Sequence, residues 1–451
     1  MTKRVHILGI CGTFMGGIAL LARDLGYEVT GSDANVYPPM STMLKDAGIK
    51  LLEGYSPYHL EPIPDLVVIG NALSRGNAAV EFVLDQGIPY ISGPQWLGEN
   101  LLRGRHVAAV AGTHGKTTTS AMLAWILECE GYDPGFLIGG LPDDFGGSAR
   151  LGTGPFVVEA DEYDSAFFDK RSKFVHYKPS TLIINNLEFD HADIFDDLSA
   201  IQTQFHHLIR CVPGNGKIMA REGSAINEVL ARGCWSTVAR LGADKCEDWR
   251  LATTDPSCRK ITIVSPLGET AQIDWNLIGQ HNADNALASV AAACELGVNL
   301  TAACRALNRF QGVKRRLELL GAPNGIRVYD DFAHHPTAIR STIDGLRCAV
   351  GGQRIIAVIE LRSNTMKRGV HQLDLLPATE NADAVYWFEP TGLDWSISDT
   401  AADYDHHHVF HCTQQLHDAL VVATQGQDHV VIMSNGSFGG LHRQLLQSLS
   451  Q

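Results

Sequence analysis

The clearest chemical signal in the sequence is Ala111-Gly112-Thr113-His114-Gly115-Lys116-Thr117-Thr118, set between an apolar run and a helical one. Holding a phosphate chain needs a glycine turn with inward-pointing amides, a lysine for the β- and γ-phosphates and a hydroxyl for Mg²⁺. Gly112, Gly115, Lys116 and Thr117 supply these, and Thr113, His114 and Thr118 complete the loop. Val110 stands where the longer form of the motif has its leading glycine, so this is the short G-x-x-G-K-T form. Such a loop predicts ATP as a ligand. A second group follows at Val157-Val158-Glu159-Ala160-Asp161-Glu162, where carboxylates at a strand end can hold Mg²⁺ against a triphosphate, Glu159 foremost. A third, Asn185-Asn186-Leu187-Glu188-Phe189-Asp190-His191, ends in a histidine able to ligate a metal or touch the γ-phosphate.

Further polar clusters lie downstream. Gly279-Gln280-His281-Asn282-Ala283-Asp284-Asn285 opens an Ala-rich helix, and its asparagines can read a base edge, although helix capping explains one of them. Lys314-Arg315-Arg316 can meet phosphate charge or form a solvated surface run. Asp330-Asp331-Phe332-Ala333-His334-His335-Pro336 closes a strand, where open α/β sheets place ligands. Near the start, Gly9-Ile10-Cys11-Gly12-Thr13-Phe14-Met15-Gly16-Gly17 is a glycine loop with Ser32-Asp33 after the next strand. Its G-x-x-G-x-x-x-G spacing departs from the NAD fingerprint but suits any nucleotide pyrophosphate, a UDP-sugar included.

Three α/β units must position these groups. Strands are predicted at Val5–Ile10, Tyr27–Gly31 and Leu66–Gly70, then at His106–Gly112, Pro155–Glu159 and Thr181–Asn185. A third set falls at Arg327–Asp330, Arg354–Glu360, Ala384–Phe388 and His429–Met433. Helices are expected at Met15–Leu25, Ala78–Gln86, Asn282–Leu296 and Thr337–Leu346. The strands are apolar runs without polar alternation, which points to parallel strands buried on both faces. The units are expected at 1–103, 104–321 and 322–451.

With 451 residues, 45% of them hydrophobic, the chain can fill two or three cores. A net charge of −14, from 36 basic and 50 acidic residues, argues against sequence-independent nucleic-acid binding. No apolar stretch approaches the roughly 18 residues that span a bilayer, and the N-terminus breaks into glycine too early for a signal peptide. Ten cysteines without CxxC spacing suit buried thiols in a reducing cytoplasm. The His406-His407-His408 triplet is expected in a surface loop.

Taken in order, HILGICGTFMGGIA, GTHGKTT, EADE, NNLEFDH, GQHNADNA, GVKRRLE and DDFAHHP resemble the Mur ligase family along essentially the whole chain. The resemblance implies a Rossmann-like first domain, a central P-loop ATPase-like parallel-sheet domain and a Rossmann-like third domain. It implies ATP and Mg²⁺, UDP-N-acetylmuramate as the carboxylate substrate and an acyl phosphate attacked by an amine. Lys116, His191 and Arg316 would then be catalytic, with Thr117, Glu159 and His191 on the metal. His281, Asn282, Asn285 and Asp331 would hold ATP beside the loop. Gly12, Gly16, Ser32, Asp33, Asn71 and Ser74 would hold the UDP-sugar. Glu360–Lys367, Ser434–Gly440 and Gly70–Asn77 are similar to the branch adding the tripeptide L-alanyl-γ-D-glutamyl-meso-diaminopimelate, the runner-up being the L-alanine-adding branch. In that branch Arg362, Asn364, Asn435 and Ser437 would grip the murein tripeptide. No lysine lies between Lys178 and Lys217, where other members carry a carbamoylated one. A nicotinamide oxidoreductase leaves GTHGKTT and EADE unexplained, and a folylpolyglutamate-type ligase leaves the first glycine loop unexplained. A P-loop switch protein is the non-enzymatic alternative.

Overall fold

A computed structural model describes every residue except 1, 39, 243–246, 254, 403 and 451. The apolar runs form three sheets. The first is wholly parallel, with strands in the spatial order Lys50–Glu53, Glu28–Asp33, Arg4–Leu8, Leu66–Ile69 and Tyr90–Ser92. The order reverses beside Arg4–Leu8, so the loops following this strand and Leu66–Ile69 flank a switch point, where doubly wound sheets leave a crevice.

The central sheet runs Thr237–Leu241, Lys217–Arg221, Thr181–Ile184, Val107–Ala111, Phe156–Ala160, Gly135–Leu137 and Ala149–Arg150. Only the last pairing is antiparallel. Val107–Ala111 is buried throughout and sits between the strands leading to EADE and to NNLEFDH. Three chemically loaded loops therefore leave neighbouring strands at the same sheet edge. The helix Lys116–Cys129 returns along the sheet and packs on the alanine-rich helix Gln280–Glu295, whose small side chains allow close approach.

The third sheet runs Glu318–Gly321, Arg327–Asp331, His429–Met433, Ile355–Glu360, Ala384–Phe388 and His407–Phe410, with only the first strand antiparallel. Glu318–Gly321 thus belongs to the third unit, and the break between units falls before residue 318 rather than after 321. The histidine triplet also departs from expectation. His407 begins an edge strand, and its Nδ1 accepts a hydrogen bond from Trp387 Nε1 at 3.1 Å. A three-stranded antiparallel sheet, Arg250–Thr253, Lys260–Val264 and Thr270–Asp274, was not anticipated. Its alternation of buried and exposed residues along Thr270–Asp274 is the mark of a one-sided sheet.

One continuous apolar cluster joins the first unit to the central sheet, from Val5, Ile18 and Trp96 through Val107, Val158 and Phe205. The third unit keeps its own two clusters, one on each face of its sheet. No helix among the described residues is long and apolar enough to cross a membrane. Nine cysteines are free thiols, and Cys246 lies outside the described residues.

Candidate active site

A cleft of about 1070 Å³ opens where the C-terminal edges of the central and third sheets face each other. Its floor is the phosphate loop. Gly115 precedes the helix with φ +80°, and no side chain caps that helix, so its first-turn amides face the cleft. Gly112 lies at φ +138°, where an added Cβ would come 3.1 Å from the Asn186 backbone. Asn186 fastens the loop, its Oδ1 accepting from the His114 amide at 2.7 Å. Thr119, one turn into the helix, accepts from Asn185 Nδ2 at 2.9 Å and donates to Asn285 Oδ1 at 3.1 Å.

The charges are arranged around the lysine. Lys116 Nζ donates to Gly112 O at 2.6 Å and lies 3.1 Å from Glu162 Oε2. Glu162, 2% exposed, reaches His191 Nε2 with its other oxygen at 3.1 Å. Burial penalises each of these charges, but the attraction among them outweighs it. The carboxyl of Glu162 is held below its ordinary value by Lys116 and His191, while Lys116 and His191 are raised by the neighbouring acids. Asp161 is likewise held low against its burial by Lys173, 2.7 Å away, and by Lys116. Glu159 Oε1 accepts from Thr117 Oγ1 at 2.9 Å, and its Oε2 from the Gly139 amide at 2.7 Å. Arg316 Nη2 reaches the same Thr117 hydroxyl at 3.2 Å from across the cleft.

The third unit lines the opposite wall. Asp331 sits 6% exposed, accepting from the Leu317 and Ala333 amides at 2.7 Å each, and burial raises its carboxyl. The Arg362 guanidinium lies flat against Gly436, where a Cβ would come within 2.0 Å of Nη1. Asn364 donates to Asp193 at 3.1 Å, and Asn435 presents a buried Oδ1 with no partner among the described residues.

Most of the anticipated residues meet in this cleft: 113–118, Glu159, His191, His281, Asn282, Asn285, Arg316, Asp331, Arg362, Asn364 and Asn435. Some are used otherwise than expected. The Asn285 oxygen is bound by Thr119 beneath the loop, so within that side chain the amide alone is left without a partner among the described residues. Asn282 donates to Ile278 O at 2.8 Å. The His281 imidazole is pushed to about 4, by burial and then by Arg316, and so is neutral. Ser437 is exposed and outside the cleft lining.

The first glycine loop lies apart from the cleft, at the switch point of the first sheet. Gly12 accepts from the Gly16 amide at 2.7 Å, and a Cβ on Gly16 would meet Met40 Sδ at 2.3 Å. Asp33 accepts from the Cys11 amide at 2.9 Å, at the loop itself. Ser32 cannot face a ligand there, because it is fully buried between His6 and His59. Asn71 is partly buried and Ser74 exposed, both in the loop after Leu66–Ile69. Sequence reasoning passed over Arg221, ranked Asp161 and Glu162 behind Glu159, and gave Glu188 no role of its own. Each follows or ends a central strand on the cleft side, and strand position was the available signal.

A nucleotide-type loop, a buried lysine–acid–histidine network and a third-unit wall opposite define an ATP-dependent ligase built from three α/β units. Profile matches agree: "Mur ligase family, catalytic domain" over residues 4–105, "Mur ligase middle domain" over 110–293, and "Mur ligase, glutamate ligase domain" over 315–436. The chain belongs to the Mur ligase family. It is 53% identical to a UDP-N-acetylmuramate–L-alanyl-γ-D-glutamyl-meso-2,6-diaminoheptandioate ligase of Haemophilus influenzae, over 99% of both chains. It is 55% identical to the Escherichia coli ligase of that name, over 99% of this chain and 98% of the other. A crystal structure of a murein peptide ligase from Psychrobacter arcticus superposes with TM-score 0.77 at 48% identity, covering 100% of this chain and 99% of that one.

Proposed function

We propose that the protein joins the tripeptide L-alanyl-γ-D-glutamyl-meso-diaminopimelate to UDP-N-acetylmuramate with ATP, in the cytoplasm, serving the reuse of cell-wall peptide. The observation that carries the reading is full-length similarity to ligases of that name, joined to a cleft in which a phosphate loop faces Arg362 and Asn435. An L-alanine-adding ligase from Kineococcus radiotolerans is 38% identical and covers 79% of this chain.

Forming an amide from a carboxylate is uphill, so the carboxylate must first take the γ-phosphoryl group. Two anions then approach in a confined site, and their repulsion is the main barrier to lower. Lys116 and the first-turn amides hold the phosphates. His191 and Arg316 flank the path of transfer and neutralise charge there. Glu162, Asp161 and Glu159 favour the protonated form of Lys116 before substrate arrives, and Glu162 and Asp190 favour that of His191. The donor set of Thr117 hydroxyl, Glu159 carboxylate and the Asp161–Glu162–His191 cluster fits Mg²⁺, which seeks hard oxygen ligands. Bound there, Mg²⁺ would offset phosphate charge. The first unit holds the UDP-sugar at its glycine loop, the central unit ATP, and the third unit the amine. Domain closure excludes water from the hydrolysable acyl phosphate.

The test is phosphate release with ATP, UDP-N-acetylmuramate and either acceptor. Release should require the tripeptide. Release with L-alanine alone overturns the acceptor assignment. Lys116→Ala should lower the rate by about 10³-fold or more. Arg362→Ala should raise the KM for peptide well above any change in the KM for ATP.

A further inference from the structure

We propose a transition-metal site, distinct from the Mg²⁺ donors, formed by His114, Glu188 and His335 across the seam between the central and third units. Glu188 Oε2 lies 3.3 Å from His114 Nε2 and 3.6 Å from His335 Nδ1, and the three donor atoms fall within 4.8 Å of one another. An ion bonded at 2.0–2.2 Å to tetrahedral ligands separates them by about 3.3–3.6 Å, so two of the three edges already have the right length. The remaining edge closes by a small rotation of the facing imidazoles, whose ring centroids are 4.7 Å apart.

The surroundings prepare the ligands. His335 Nε2 donates to the Phe189 carbonyl at 3.3 Å, which fixes the tautomer that leaves a lone pair on Nδ1. That lone pair meets the Thr337 amide at 3.3 Å, a long contact that an ion can displace. A ligating histidine whose other nitrogen is tied to a backbone carbonyl is the usual support for a bound metal. Thr337 Oγ1 donates to Glu188 Oε2 at 2.7 Å and orients the carboxylate. Burial and then the neighbouring His114 push His335 to about 4, so it is neutral. Glu188 is held down to about 2 despite its burial, chiefly by His114, so it is ionised. Two imidazoles and a carboxylate are a donor set that suits Zn²⁺ or a similar borderline ion rather than Mg²⁺. The fourth position opens into the cleft, as both His114 and His335 line it.

Such an ion ties a phosphate-loop residue to the N-cap of the helix Pro336–Val350 in the third unit. It therefore locks the third unit against the phosphate loop at the present spacing, so this ion is an inhibitor of the full-length enzyme and not a participant in turnover.

The experiment titrates Zn²⁺ into the full-length protein against a chromogenic chelator and records zinc X-ray absorption on the 1:1 complex. The expected result is one tight site whose spectrum fits two imidazoles and one carboxylate oxygen. His335→Ala and Glu188→Gln should each weaken it at least tenfold, whereas His408→Asn, in the edge-strand triplet, should not. A spectrum without imidazole scattering overturns the proposal. So does affinity unchanged in His335→Ala with a native circular-dichroism spectrum, or affinity lost in His408→Asn. Should the variants fail to fold, the wild-type spectrum alone decides. Phosphate release without added metal other than Mg²⁺ is a separate readout, so failure here leaves the ligase reading standing.

Discussion

Gly115 shows how one residue can set a site. Its φ of +80° disfavours any side chain, and an added Cβ would lie 2.4 Å from Asn285 Oδ1 and 3.1 Å from Asn185 Nδ2. Both neighbours are already committed to Thr119, so neither can yield without loosening the loop. Gly115→Ala should lower stability by about 1–3 kcal/mol, seen as a lower midpoint in urea, and weaken ATP binding tenfold or more by calorimetry. The loop itself was legible because glycine, lysine and threonine at this spacing have few other uses. The partner of Lys116 was not. Nothing in EADE tells which acid turns inward, and it is the third, Glu162, rather than Glu159 that holds the lysine. Ser32 misled because the strand runs on to Asp33 and carries Ser32 into the core between His6 and His59.

Elements were legible where burial is uniform. The central strands Val107–Ala111, Phe156–Ala160 and Thr181–Ile184 fall within a residue of their predicted ends, because an apolar run buried on both faces has only one reading. The one-sided sheet at 250–274 and the edge strand His407–Phe410 were missed, since polar residues interrupt them and tertiary pairing decides their state. The contact between the helices Lys116–Cys129 and Gln280–Glu295 also lay beyond the sequence, yet it governs the site. Its polar core is the Asn185–Thr119–Asn285 chain, with Ser289 Oγ donating to Thr119 O at 3.0 Å. Thr119→Val keeps the volume and removes the hydroxyl, stranding two buried amide groups. A loss of about 1–3 kcal/mol is expected in chemical denaturation, with the KM for ATP raised as the loop loses its footing.

At the scale of the whole molecule, the pH dependence of stability follows from several buried imidazoles. His6, His281 and His335 are each pushed from 6.5 to about 4, in every case first by burial. The unfolded chain takes up protons near 6.5 while the folded chain refuses them until about 4, so stability falls as pH drops through that window. Glu188, held down to about 2, adds a further loss below about 4.5 as the unfolded carboxyl protonates first. His191, raised, works in the opposite sense and loses its contribution as pH rises above its ordinary value. The net expectation is a urea midpoint that is highest near neutrality and declines steadily from pH 6.5 to 4. A flat profile over that range would mean that these imidazoles are open to water.

The seam between the first two units carries a mechanical consequence. Gly17 meets the central sheet so closely that a Cβ would lie 2.2 Å from Leu137 Cδ1, and the apolar cluster runs through without a break. The third unit is joined instead through 314–317, where Arg315 and Leu317 both hold left-handed backbone. The first glycine loop and the phosphate loop thus stand on one shared core, whereas the third unit keeps cores of its own. Under the proposed function, that shared core sets the spacing between carboxylate and triphosphate, while the amine arrives from a unit packed separately.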